Sequence, residues 1–159
     1  MTGAEYQPGG ATVGFLAELD GVQAAAVVYL RLWCDGEEGQ AQVWHDFAAT
    51  LGAAHGRKAM RSFEQLFSLC AAHGRRKLVR HSLRCSCLGS DEACFANFIA
   101  TAAEGAREDA LFIATLLVRP DMAPLMVALA TDVGLALKRM RLCAPRDVAP
   151  VRPDDTTLH

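Results

Sequence analysis

The sequence predicts an all-α fold, a single-domain helical bundle of about six helices, and three observations carry that expectation. Apolar residues recur at steps of three and four along most of the 159-residue chain. Glycines fall where those periodic stretches stop, as at Gly36 and Gly74. Only residues 77–89 change rhythm, to an alternation of period two. Hydrophobic residues make up 52% of the chain and charged residues 21%, which excludes a polar disordered chain and suffices for one core.

The elements follow in order. Phe15, Leu19, Val22, Ala26, Leu30 and Trp33 form the first helical stripe, with Gly36 as its stop. Val43, Trp44, Phe47 and Leu51 mark a second helix over about 39–54. Met60, Phe63, Phe67 and Cys70 mark a third, closed by Gly74. Ala53-Ala54-His55-Gly56 and Ala71-Ala72-His73-Gly74, each followed by basic residues, read as two similar helix C-termini. Ser90, ahead of Asp91 and Glu92, reads as the N-cap of a fourth helix carrying Phe95, Phe98, Ile99 and Ala102. Gly105 separates it from a fifth, whose first turn holds Glu108 and Asp109 as the helix dipole favours. From Ala110 to Val118 only Thr115 is polar, which places this helix at the buried centre of the fold.

The sixth helix is the most regular. Met122, Met126, Leu129, Val133, Ala136, Met140 and Cys143 alternate steps of four and three. Pro124 requires a start near Asp121, because only a first-turn amide has no intrahelical partner to lose. Leu125, Leu135, Leu137 and Leu142 widen the apolar surface beyond one seam. The helix is therefore expected to be buried on two sides or shared, and a homodimer through 121–143 is the expected assembly. Residues 1–143 form the domain. Ala144–His159, with three prolines and no periodicity, reads as a flexible C-terminal tail.

In KLVRHSLRCSCLG, residues 77–89, alternation puts His81, Leu83, Cys85 and Cys87 on one side and Arg80, Ser82, Arg84 and Ser86 on the other. With no obvious partner strand, it is expected to cross the bundle as an extended connector. Two candidate sites meet there. Between His55 and Arg84 lie eight cations, Arg57, Lys58, Arg61, Arg75, Arg76, Lys77, Arg80 and Arg84, against one acid, Glu64. That local charge of +7 sits in a chain of net charge −2, so the remainder carries −9. Such clusters attract phosphate backbones and other anions. The second candidate is a ligand set of His81, Cys85, Cys87 and Cys94, the donors of a Cys3His zinc site, with an iron–sulfur cluster as a weaker fit. Cys94, near a helix N-terminus, and Cys87 are the candidates for thiolate reactivity. Cys34, Cys70 and Cys143 read as small apolar packing residues.

The N-terminus lacks a basic stretch leading into an apolar one, and the runs Ala24–Leu30 and Ala110–Val118 fall short of the roughly 20 residues that cross a bilayer. A cytoplasmic location without membrane partners is expected, and six cysteines there imply thiols, metal or redox chemistry over structural disulfides. No GxSxG, P-loop or dinucleotide glycine pattern occurs. The leading expectation is a non-enzymatic binding or regulatory protein whose basic 57–84 surface engages nucleic acid, a phosphorylated ligand or an acidic protein. The alternative is a metal-binding or thiol-redox protein centred on Cys85, Cys87 and Cys94. The third is a helical interaction and dimerisation module.

Overall fold

The computed structural model describes residues 9–143. The tail expected at 144–159 lies outside them, as do the side chains of Leu142 and Cys143. The fold is all-α, with six helices among the described residues: α1 (Gly21–Cys34), α2 (Glu37–Leu51), α3 (Ala53–His73), α4 (Ser90–Ala103), α5 (Arg107–Leu117) and α6 (Ala123–Cys143). Two short strands, β1 (Thr12–Phe15) and β2 (Cys87–Gly89), pair antiparallel.

Local chemistry sets most boundaries. The Asp20 carboxylate accepts from Gln23 N at 2.9 Å, and the Gln23 side chain accepts from Asp20 N, so α1 starts with a reciprocal cap. Gly52, at φ +84°, makes the left-handed turn that ends α2. Ala53-Ala54-His55-Gly56 is therefore the start of α3, not the end of a helix, and only the second Ala-His-Gly closes one. Gly56 serves packing instead. A Cβ there would lie 2.9 Å from Ala48 Cα, so α3 can run close against α2. Pro124 falls in the first turn of α6, where it costs no helical bond.

The centre of the fold is α6, which packs against α1, α3, α4 and α5. Its Met126, Leu129, Val133, Ala136 and Met140 are all buried within the protomer. Of the leucines that widen its apolar surface, Leu137 is buried as well, whereas Leu125 and Leu135 are exposed. With its leading turn, at 120–141, this helix is long and apolar enough to cross a membrane by length and composition alone, and half of it is buried here. The central position expected for α5 is not observed, because Phe112 is 71% exposed and Leu116 is also exposed. An 11-residue helix at the edge buries only one stripe, here Ala110, Ala114 and Leu117. Beside α6, the rings of Tyr29, Phe47, Phe63, Phe67, Trp33 and Phe95 form a continuous aromatic cluster with edge-on and stacked contacts.

Residues 74–89 are non-helical, including the 77–89 that the sequence predicts, but they do not run as one extended connector. Gly74 bridges to Val118, and the amides of Arg75 and Arg119 donate to Leu117 O and His73 O, which ties the end of α3 to the end of α5. At Ser82–Cys85 the chain turns, closed by Cys85 N donating to Ser82 O at 3.0 Å. Only Cys87–Gly89 is strand, and its partner is β1, in the register Phe15 to Cys87 and Thr12 to Gly89.

Where α4 and α6 cross, Gly134 is buried, and a Cβ there would lie 2.7 Å from Ala103 Cβ and 2.8 Å from Ile99 O. Helix propensity alone would make Gly134→Ala stabilising by about 1 kcal/mol. Overpacking against a backbone carbonyl costs about 1–3 kcal/mol and should win. Gly134→Ala is expected to lower the urea midpoint; a raised midpoint would mean that the helices do not meet this closely.

Candidate functional site

Helices α1 and α4 each carry almost no charge. Arg31 is the one charged residue of α1, and Asp91 and Glu92 are the only ones of α4. Arg31 and Glu92 meet with no solvent exposure on either side chain. Arg31 Nε donates to Glu92 Oε2 at 2.6 Å and Nη2 to Oε1 at 2.9 Å, the two-pronged geometry in which guanidinium and carboxylate match best. The rest of the fork holds the irregular segment, with Nη1 donating to Cys85 O at 2.6 Å and Nη2 to Cys87 O at 2.7 Å. Glu92 in turn accepts from Gly89 N at 3.0 Å and from His81 N at 3.3 Å. Asp91 accepts two bonds from Arg76, at 2.6 and 2.7 Å, and a third from Val79 N at 2.7 Å. Both carboxylates lie in the first turn of α4, where the helix dipole favours them. Gly89, not Ser90, precedes the helix, and Glu92 reaching back to its amide does the capping expected of Ser90.

The turn at Ser82–Cys85 brings two side chains together that an extended chain would separate. His81 Nδ1 lies 3.7 Å from Cys85 Sγ, while His81 Nε2 lies 2.8 Å from Gly10 O. The carbonyl fixes the proton on Nε2, so Nδ1 either accepts from the thiol or, when protonated, donates to the thiolate. The Cys87 amide, the His81 ring and the Cys87 thiol hold the Cys85 pKa below the ordinary thiol value. Cys85 and burial hold the Cys87 thiol above it, with the Thr12 hydroxyl and Arg31 acting the other way. The hydrogen bond to Gly10, opposed by burial and aided by Cys85, raises the His81 pKa. The two thiols are thus pushed in opposite directions, Cys85 down and Cys87 up.

The remaining cysteines differ. Burial, then Asp91, pushes the Cys94 thiol up against the pull of Arg76, the direction opposite to the one expected from its place near a helix N-terminus. Burial also raises Cys34, and it pushes Cys70 up to about 12. Among the described residues no three His, Cys, Asp or Glu side chains form a group that could hold a metal ion. His81 meets Cys85 and Cys85 neighbours Cys87, but the three do not converge on one point and Cys94 lies by the Asp91–Arg76 pair, so the four donors as placed do not make a zinc or iron–sulfur site.

The eight cations do not form one surface. Arg75 donates to Thr115 O, Arg76 is engaged by Asp91, and Arg80 donates to Cys34 O at 2.9 Å, so these three fasten the segment to the domain. Arg57, Lys58, Arg61, Lys77 and Arg84 are exposed, and their side chains make no hydrogen bond or ion pair among the described residues. Lys58 borders a cleft between α3 and α6 with His55, Lys138 and Arg139, whereas Arg57 and Arg61 border a different depression with Trp33 and Trp44. Sequence reasoning missed Arg31 and Glu92. The available signal was a lone charge inside an otherwise uncharged helix. No known family, curated protein or solved structure matches this chain.

Removing one partner of a buried ion pair costs about 3–5 kcal/mol, because the other charge stays buried and unmatched. Arg31→Met is expected to lose that much stability in urea unfolding at neutral pH, and to expose the His81 and Gly89 amides, which Glu92 holds, to hydrogen exchange. A loss below about 1 kcal/mol with those amides still protected would contradict the geometry.

Burial works to raise the Glu92 pKa, but the bonds from Arg31 and Gly89 outweigh it and hold the group low. A carboxylate lower in the folded than in the unfolded state stabilises above its unfolded value, about 4.3, and loses that contribution as pH falls through the folded value. Stability should therefore decline on acidification below about pH 5, with a shallower decline in Glu92→Gln. An acid limb of equal slope in both proteins would exclude Glu92 as its source.

Proposed function

We propose that this protein is a dithiol–disulfide redox protein in which Cys85 is the attacking sulfur and Cys87 the resolving one. The observation that supports this most strongly is the Cys85 sulfur beside the His81 ring at 3.7 Å, with the Cys87 amide and thiol as its other partners. Thiolate, not thiol, attacks a disulfide. The Cys85 thiolate attacks one sulfur of a substrate disulfide, forming a mixed disulfide and releasing the second substrate sulfur as thiolate, which takes the His81 proton. Cys85 then carries no charge, and the neighbour that held the Cys87 proton in place is gone. Cys87 gives its proton to neutral His81 and attacks Cys85, which releases the first substrate sulfur as thiolate, and that thiolate takes the proton from His81. The substrate disulfide gains two electrons and two protons, and Cys85 and Cys87 lose them as they join. The reverse sequence oxidises a substrate dithiol.

Three hydrogen bonds support the pair in holding its shape through this cycle, since Arg31 keeps the carbonyls of both cysteines and the turn bond keeps Cys85 beside His81. An anionic partner for the exposed cations remains a second reading, favoured by the absence of ion pairs at Arg57, Lys58 and Arg61 among the described residues. A homodimer through α6 would have to use its exposed Leu125 and Leu135, since the seam itself lies in the core.

Alkylation by iodoacetamide with peptide mapping across pH tests the assignment. Cys85 is expected to react with a midpoint below about 8.5, the ordinary thiol value, and at neutral pH about tenfold faster than Cys94. His81→Asn should move the Cys85 midpoint upward. If Cys85 titrates in the ordinary range and His81→Asn changes nothing, the proposal fails.

A further inference from the structure

We propose that the depression between α2 and α3 is a binding site for a free nucleoside phosphate, with its base on Trp33 and Trp44 and its phosphate between Arg57 and Arg61. The depression holds about 420 Å³, within the range of small-molecule sites, and Gln40 and Glu64 complete its polar edge. It lies apart from the thiol pair and does not depend on the redox reading.

Four features of this place need a ligand to make sense together. Trp44 is 40% exposed, although α2 has Val43 and Phe47 fully buried beside it and gains nothing from an indole in water. Trp33 is fixed as a flat platform. Its ring stacks on Phe67 at 5.8 Å and 28° and meets Phe63 edge-on, while its carbonyl accepts from Gln40 Nε2 at 3.2 Å. Arg57 and Arg61 are four residues apart on α3, a spacing at which like charges repel by a few tenths of a kcal/mol. Neither forms an ion pair among the described residues, not even with Glu64 three residues beyond Arg61.

An anion between the two guanidiniums would relieve that repulsion and accept the planar, two-pronged bonds that arginine offers phosphate. The indoles supply the stacking surface that every nucleobase can use. Glu64 and the free oxygen of the Gln40 amide are acceptors for the donor groups of a base or ribose. A phosphate without a base would leave both indoles unused, and a base without phosphate would leave both arginines unmatched. The chemistry therefore asks for both in one molecule.

The chain has only two tryptophans, and both border this site, so intrinsic fluorescence reads it directly. Adenosine 5′-phosphate is the probe, with calorimetry on the full chain as the second readout. It should quench the emission and bind with an affinity that falls with added salt. Adenosine alone and inorganic phosphate alone should each bind about tenfold more weakly or worse. Trp44→Ala and the double substitution Arg57→Ala with Arg61→Ala, all at exposed positions, should each weaken binding about tenfold or more, seen by calorimetry. Binding that survives both variants, or no heat and no quenching at millimolar nucleotide, would overturn the proposal. So would a tetranucleotide that binds far more tightly than the mononucleotide, since that would make the occupant a single strand.

Discussion

A guanidinium with no access to water is costly unless its nitrogens find acceptors, and all three Arg31 nitrogens have them, in four contacts. Two go to Glu92 and two to the carbonyls of Cys85 and Cys87. That distribution is the constraint on which the irregular segment 74–89 depends. The 74–89 segment has few regular backbone bonds of its own, so its polar groups must be met by something else. The carboxylates at the start of α4 accept from its amides, and Arg31 donates to its carbonyls. The result is a loop with the fixity of a secondary element, and no buried side-chain nitrogen or oxygen is left without a partner among the described residues.

This also explains why the pair is not interchangeable with apolar residues. Buried ion pairs can often be replaced by well-packed hydrophobic side chains with little loss. Here the replacement would orphan the Cys85 and Cys87 carbonyls and the His81 and Gly89 amides together, and each such group costs about 1–3 kcal/mol when buried without a partner. The same bonds set the chemistry of the thiols. Cys85 sits beside His81 because the chain turns at Ser82–Cys85, and both ends of that turn are held, at His81 N by Glu92 and at Cys85 O by Arg31. Positioning and stability come from one set of contacts.

The helices were legible in the sequence because long stripes at three- and four-residue steps have one physical solution. What escaped was decided by contacts between distant segments. Strand β1 is four residues with a glycine inside and mostly exposed side chains, so it carries no alternation to read. The start of α3 was hidden because Ala-His-Gly serves a C-terminus or an N-terminus equally well until Gly52 takes the left-handed turn. Hydropathy placed α5 at the centre, but burial depends on how many elements surround a helix, and α6 is the one surrounded. The cysteine segment was half legible. Its residues were visible, but the turn that joins His81 to Cys85 was not, and period-two alternation suggested an extended chain that would part them. Charge clustering misled in a different way, since Arg75, Arg76 and Arg80 are ties to Thr115, Asp91 and Cys34. A lone arginine in α1 and lone acids in α4 were the better signal, because a charge in an otherwise uncharged helix needs a partner somewhere.

The most direct test of the account is to equilibrate the full chain with glutathione buffers of graded potential and locate the oxidised residues by mass spectrometry. The account predicts one two-electron transition, with the loss of two hydrogens placed on the peptide that carries Cys85 and Cys87. Oxidation that stops at a glutathione adduct on Cys85, or that joins other cysteines first, would contradict it.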